Sequence, residues 1–219
     1  IGSFEMSPFD AIQSYQAIAA DGFYSPLRSI RDIKNIKGDI DLSYQYKIEQ
    51  RMRPEPVYLL KFAMQQTFIS GTARGYSRKK IESWQAGGKT GTSDDQRDSW
   101  FVGFAGDLLV LVWLGFDDNR ATPLTGRSGA LEVWKNFIND IQPSSVEKNS
   151  FPRIKYVWTD KNDGLLSGEK CKNSLLVPFI IGTEPNTIPS VRNRCASKPK
   201  RNQSDVMKKL KKVFEEGQG

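Results

Sequence analysis

Three strand-length runs crowd into one short part of the chain: Trp84 to Thr92, Ser99 to Ala105 and Leu108 to Phe116. Only Gly106-Asp107 separates the last two, and so short a link joins strands as an antiparallel hairpin, since parallel neighbours need a long crossover. The stretch "LLVLVWLGF" is almost wholly apolar, which predicts a central strand covered on both faces. Helical patterns flank this meander. Ser7, Pro8 and Asp10 mark a helix start, with Phe9, Ile12, Tyr15 or Gln16, and Ala19 as its packing face and Gly22 as its stop. From Pro54 to Ser70, Val57, Leu60, Met64 and Phe68 recur at helical spacing, and Ala130 to Ile141 repeats the pattern with Leu131, Trp134, Phe137, Ile138 and Ile141. Short strands are expected in "FYSPLRSIRDI" and "YQYKIEQRM", about a loop at Gly38-Asp39, and a basic loop at Arg78, Lys79 and Lys80. The fold class that follows is α+β, an antiparallel sheet flanked by helices.

Charge divides the chain. Residues 1–142 balance acid against base, so the whole net charge of +7 falls after them. We read 1–142 as one domain and 143–219 as a basic, less regular C-terminal extension, with Pro143-Ser144-Ser145 at the boundary. That basic stretch carries no helix-turn-helix, zinc-finger or aromatic ribonucleoprotein pattern, and nucleic acid is not expected as a partner. No apolar run approaches the ~20 residues of a membrane span. The chain opens on Ile1 without an initiator Met, and we expect it to be part of a longer protein. It contains no histidine, which removes Ser-His-Asp and Cys-His mechanisms and the commonest metal ligand; no metal or cofactor is expected. Cys171 and Cys195 stand either as two thiols or as one disulfide. The polar stretch from Glu169 to Pro199 has little apolar sequence to hold it, which favours the disulfide and an oxidising compartment.

The first strand of the meander ends in Lys89-Thr90-Gly91-Thr92. Alternation on a strand turns Lys89 and Gly91 to one face and Thr90 and Thr92 to the other. At a sheet edge, glycine admits the backbone of a ligand, lysine supplies a fixed positive charge and two hydroxyls can hold a carboxylate. The Thr92 N–H is a candidate oxyanion donor. For a lone tripeptide the plainer reading prevails, in which lysine protects an edge strand and glycine marks a bulge.

The surrounding order of motifs changes that balance. "AGGKTGTSDDQRDSWFVGF", then "VWLGFDDN", then "TPLTGRSGALEVW" resembles the end of the transpeptidase domain of penicillin-binding proteins, in which K-T-G is the third motif beside S-x-x-K and S-D-N. "SPFDAIQSYQAIAADGFYSPLRSI" and "VYLLKFAMQQTFISGTARG" are similar to the segments that precede that strand. The tail "VWTDKNDGLLSGEKCKNSLLVPFI…RNRC" resembles the two-cysteine extension of the bifunctional, class A type 1b enzymes. The resemblance implies the C-terminal part of a fold shared with serine β-lactamases. It implies an enzyme at the periplasmic face of the bacterial inner membrane that polymerises glycan strands and cross-links stem peptides ending in D-Ala-D-Ala through a serine acyl-enzyme. Penicillins and other β-lactams would acylate the same serine. Carried over residue by residue, Lys89 orients substrate and tunes proton transfer, while Thr90 and Thr92 bind the carboxylate. Gly91 stays small, the Thr92 amide joins the oxyanion hole, and Trp100 and the Ser93–Asp98 loop wall the cleft. Gly71-Thr72 is expected to approach from a helix end.

Two motifs are missing. No S-x-N occurs, and the S-x-x-K strings at Ser77, Ser145, Ser167 and Ser197 all fall in polar loops or the tail, where we read them as surface residues. The nucleophile is therefore expected in a preceding portion of the protein. Two other readings remain: a β-lactamase-like serine hydrolase, which should lack the cysteine tail, and a non-catalytic basic binding module. If the nucleophile lies elsewhere, residues 1–219 alone form no covalent adduct with benzylpenicillin; intact-mass spectrometry showing a stoichiometric adduct on one residue would refute this.

Overall fold

The computed structural model describes residues 5–147 and 150–185. They belong to two compact units, and the boundary along the chain falls between Phe151 and Pro152.

In the first unit, α1 (Pro8–Ala19) starts where the sequence places it: Ser7 Oγ accepts from the Asp10 N–H, and Pro8 needs no donor partner in the first turn. The helix packs on small residues, Ala11 and Ala17, while Phe9 is 58% exposed. Of the expected face, Ile12, Tyr15, Gln16 and Ala19 are half-buried, and only Phe9, in the first turn, lies out in solvent. Next come β1 (Phe23–Tyr24), β2 (Asp32–Lys34), β3 (Ile40–Ser43) and β4 (Glu49–Gln50), which pair antiparallel as β1 with β4 and β2 with β3. Helix α2 (Pro54–Ile69) buries Val57, Met64 and Phe68 as its stripe predicts, but leaves Leu60 44% exposed.

The expected basic loop is instead a helix, α3 (Arg78–Trp84), and the strand that follows begins at Gly87, not Trp84. Ile81 and Trp84, one turn apart, are both buried, and Arg78 pairs with Glu82 across an i,i+4 spacing. Gln85, at φ 48°, stops the helix in the left-handed conformation.

Strands β5 (Gly87–Thr92), β6 (Ser99–Ala105) and β7 (Leu108–Leu114) form the expected antiparallel meander, joined at its tight end by Gly106-Asp107. Among the described residues the order is β5-β6-β7, with β6 in the centre; "LLVLVWL" of β7 pairs there with β6 alone, every residue half-buried. Apolar content reports what packs on the two faces and says little about how many strands lie alongside.

Helix α4 (Ala130–Ile141) closes the core. Leu131, Trp134 and Ile138 are buried, whereas Phe137 and Ile141, expected on the same face, are 45% and 51% exposed. Trp134 is wholly buried, with ring centroids 5.2 Å from Phe101 and 5.6 Å from Phe68, and its Nε1 donates to Gly103 O. A Cβ at Gly103 would stand 2.9 Å from the indole, so the bare glycine makes the seat for this ring.

The second unit holds β8 (Ile154–Asp160) and β9 (Ser174–Ile180), paired antiparallel over seven residues each. Cys171 lies in the turn that leads into β9, 9% exposed. Cys195 and Ser197 fall outside the described residues. No helix among the described residues is long and apolar enough to cross a membrane.

Because Trp134 joins α2, β6 and α4, Trp134→Ala should cost about 3–5 kcal/mol of stability. Thermal or denaturant unfolding of the protein measures it, and a loss below 1 kcal/mol would contradict this account of the core.

Candidate active site

The residues singled out from the sequence come together on β5 and the adjoining turn of β6. Register pairs Lys89 with Val102, Thr90 with Phe101, Gly91 with Trp100 and Thr92 with Ser99. Thr90 and Thr92 therefore share the sheet face that carries Phe101 and Ser99; Lys89, Gly91 and Trp100 lie on the other. Hydroxyls and ammonium can meet a common ligand only along the edge of the strand.

Among the described residues β5 pairs with β6 alone, so its other edge has no strand partner. Helix α2 lies beside the start of that strand, where Thr67 Oγ1 donates to Gly88 O at 2.9 Å. Further along, side chains and loops take over. Lys89 Nζ, exposed, donates to Thr90 O at 2.6 Å. The Thr90 and Thr72 hydroxyls lie 2.9 Å apart, which brings the Gly71-Thr72 turn to the strand as expected. The exposed Thr92 Oγ1 accepts from the Gly126 N–H at 2.9 Å.

The opposite face carries a second arrangement. Trp100 contacts Trp113 with centroids 6.1 Å apart, and Trp113 Nε1 donates to Asp98 Oδ1 at 2.8 Å. Asp98 closes a tight turn in which its N–H donates to Ser93 Oγ at 2.7 Å, with Asp95 and Gln96 in left-handed conformations. That turn is braced from residues 120–125, since Thr122 donates to Gln96 O through both its N–H (2.9 Å) and its hydroxyl (2.6 Å).

Sequence reasoning assigned no role to Ser99, Thr122, Gly126 or Trp113. The loop "TPLTGRSG" contributed to the resemblance, but no local pattern tells which of its amides reaches a strand more than thirty positions earlier.

Three of the S-x-x-K serines, Ser77, Ser145 and Ser167, lie among the described residues. Ser77 starts α3 rather than lying in a loop, yet it is exposed, and Lys80 Nζ turns to Asn139 Oδ1 at 2.7 Å. Ser145 is exposed and meets Ser83, and Ser167 meets Ser174. A cavity of about 250 Å³, bordered by Gln16, Lys61, Trp84, Phe104 and Asp107, excludes every K-T-G residue. Its lysine is already bonded to Ala19 O and Asp21 Oδ1, so we do not take it for the site. Among the described residues no cluster of three or more His, Cys, Asp or Glu could hold a metal.

The model of the penicillin-binding protein transpeptidase domain matches residues 1–125, more than half of the chain and all of β5 to β7. The chain belongs to this family. Penicillin-binding protein 1B of Haemophilus influenzae is 39% identical over 163 residues, 74% of this chain and 20% of the relative. Its counterpart in Vibrio cholerae is 35% identical over 147 residues, 67% of this chain and 19% of the relative. The chain thus spans about a fifth of the length of these curated relatives. Among solved structures, penicillin-binding protein 1A from H. influenzae superposes with a TM-score of 0.69 at 22% identity, covering 83% of this chain and 33% of that one. PonA1 from Mycobacterium tuberculosis gives 0.53 at 22% identity, over 66% and 40% of the two chains. These structures share the fold, an α+β transpeptidase domain.

The Asp98–Trp113 bond is a polar anchor on the tryptophan face. Asp98→Ala leaves the indole N–H without its acceptor and should cost about 1–3 kcal/mol of stability, read as a lower melting temperature in the full-length family member; an unchanged melting temperature would refute it.

Proposed function

We propose that this chain is the C-terminal part of a peptidoglycan transpeptidase and that the open edge of β5 receives a stem peptide ending in D-Ala-D-Ala. The observation that carries this reading is the far half of that edge, where Thr90 and Thr92 present hydroxyls and Lys89 a positive charge, with no strand alongside among the described residues. A peptide laid there would pair with main-chain groups of β5 as an added strand. The terminal carboxylate is read by Thr90 and Thr92. Lys89 supplies the charge that orients it and favours developing anion at the reacting carbonyl, and the Thr92 N–H is one oxyanion donor. Gly91 keeps the strand open to the ligand, and Trp100 walls the cleft. Penicillins, whose carboxylate and reactive carbonyl mimic this peptide end, occupy the same edge.

The serine nucleophile belongs to a portion of the protein outside residues 1–219, so this chain is inactive alone. The full-length parent is a serine acyltransferase that also polymerises glycan strands, anchored at the periplasmic face of the inner membrane. Residues 1–142 form part of its transpeptidase domain and 143–219 its basic extension. Cys171 and Cys195 pair as a disulfide; the burial of Cys171 in the turn before β9 supports this.

Charge-assisted contacts of the Lys89 kind are worth about 1.5–3 kcal/mol, so Lys89→Ala in the full-length protein should slow acylation by a labelled penicillin about ten- to a hundredfold while leaving the melting temperature within about 1 °C of wild type. Acylation at the wild-type rate would return K-T-G to a merely structural role. Rapid release of the acyl group by water would favour a hydrolase instead.

A further inference from the structure

The Thr92 hydroxyl is held from behind. Its oxygen accepts the Gly126 N–H at 2.9 Å, and no other hydrogen bond of this hydroxyl occurs among the described residues. A hydroxyl has one hydrogen to give. With its oxygen engaged by an amide, that hydrogen is left to point at an acceptor along the exposed edge, and the hydroxyl is biased to donate to an anion.

Ser99 places the amide. It stands opposite Thr92 on β6, is wholly buried, and uses its hydroxyl twice: Oγ donates to Thr125 O at 2.8 Å and accepts the Ala130 N–H at 2.9 Å. Those two contacts bracket Gly126 from both sides, one in the loop before it and one at the first residue of α4. The second also satisfies a helix-start N–H that has no intrahelical partner. Gly126 then lies flat on the strand pair: a Cβ there would meet Gly91 O at 2.5 Å, Trp100 O at 2.8 Å and Gly91 N at 3.0 Å, all main-chain atoms that cannot step aside. Thr122 secures the other end of the loop to Gln96.

We propose that Ser99 is a positioning residue for the transpeptidase reaction: by clamping residues 125–130 onto β5 and β6, it holds the Gly126 amide against Thr92 and so fixes the Thr92 hydroxyl as a donor to the carboxylate of the peptide or penicillin. This rests on the reading of β5 as the carboxylate-binding edge. Ser99 itself touches no ligand. It acts through the loop.

A double-mutant cycle in the full-length protein tests it, with second-order acylation by a labelled penicillin as the rate and a melting curve for each variant. Thr92→Val removes the hydroxyl at nearly constant shape and should slow acylation about tenfold. Ser99→Ala should slow it about five- to tenfold by loss of positioning. In the Thr92→Val background Ser99→Ala should change the rate less than twofold. A purely structural Ser99 predicts instead that its effect is the same with and without the Thr92 hydroxyl, and that result overturns the proposal, as does an unchanged rate in Ser99→Ala. Should Thr92→Val alone acylate at the wild-type rate, the reading of β5 fails, distinguishably from the role of Ser99. If Ser99→Ala does not fold, Thr122→Val loosens the same loop from its far end and must show the same dependence on the Thr92 hydroxyl; equal effects in both backgrounds overturn the proposal.

Discussion

The seat of Trp134 over Gly103 is the constraint from which the rest of the first unit follows. A wholly buried indole between Phe101 and Phe68 fixes α4 and α2 against one face of β6. Interiors pack at crystal-like density, so an aromatic of this size leaves little freedom in the angle between helix and sheet. Once α4 is set, its first residue arrives at Ser99, and the loop before it must cross the strand pair at Gly91 and Trp100. The candidate site is thus assembled from the core outward.

What reaches the β5 edge is correspondingly rigid. Thr67 on α2, Thr72 at the end of that helix, and Gly126 just before α4 each bond to one of the alternate residues Gly88, Thr90 and Thr92. Contacts from α2, the turn that follows it and the loop before α4 therefore hold this short strand, while its edge is left without a strand partner among the described residues. Groups held in advance spend nothing on reorganisation when charge develops, which is the use a transpeptidase would have for them.

Much of this was legible in the sequence where the signal is local. Gly106-Asp107 between two apolar runs names the hairpin, Ser7-Pro8 starts α1, and Lys89-Thr90-Gly91-Thr92 amid its ordered neighbours names the family. Signals failed where the outcome depends on distant partners. β7 reads as central because its faces are apolar, yet β6, with a serine and a glycine in it, pairs on both sides. Phe137 and Ile141 fit the stripe of α4 but lie beyond what the core covers. Lys79 and Lys80 look like loop because charge masks the Ile81–Trp84 turn that buries α3. Ser99 and Gly126 carry no local mark at all; their roles exist only once the loop before α4 is laid across β5.

The central claim, that the β5 edge reads a carboxylate, is tested most directly by a crystal structure of the full-length protein acylated with benzylpenicillin. The account predicts the drug carboxylate within hydrogen-bond distance of the Thr90 and Thr92 hydroxyls, about 2.5–3.0 Å for such contacts, with Gly126 N–H still on Thr92. An adduct whose carboxylate lies elsewhere, leaving the β5 edge empty, would contradict it.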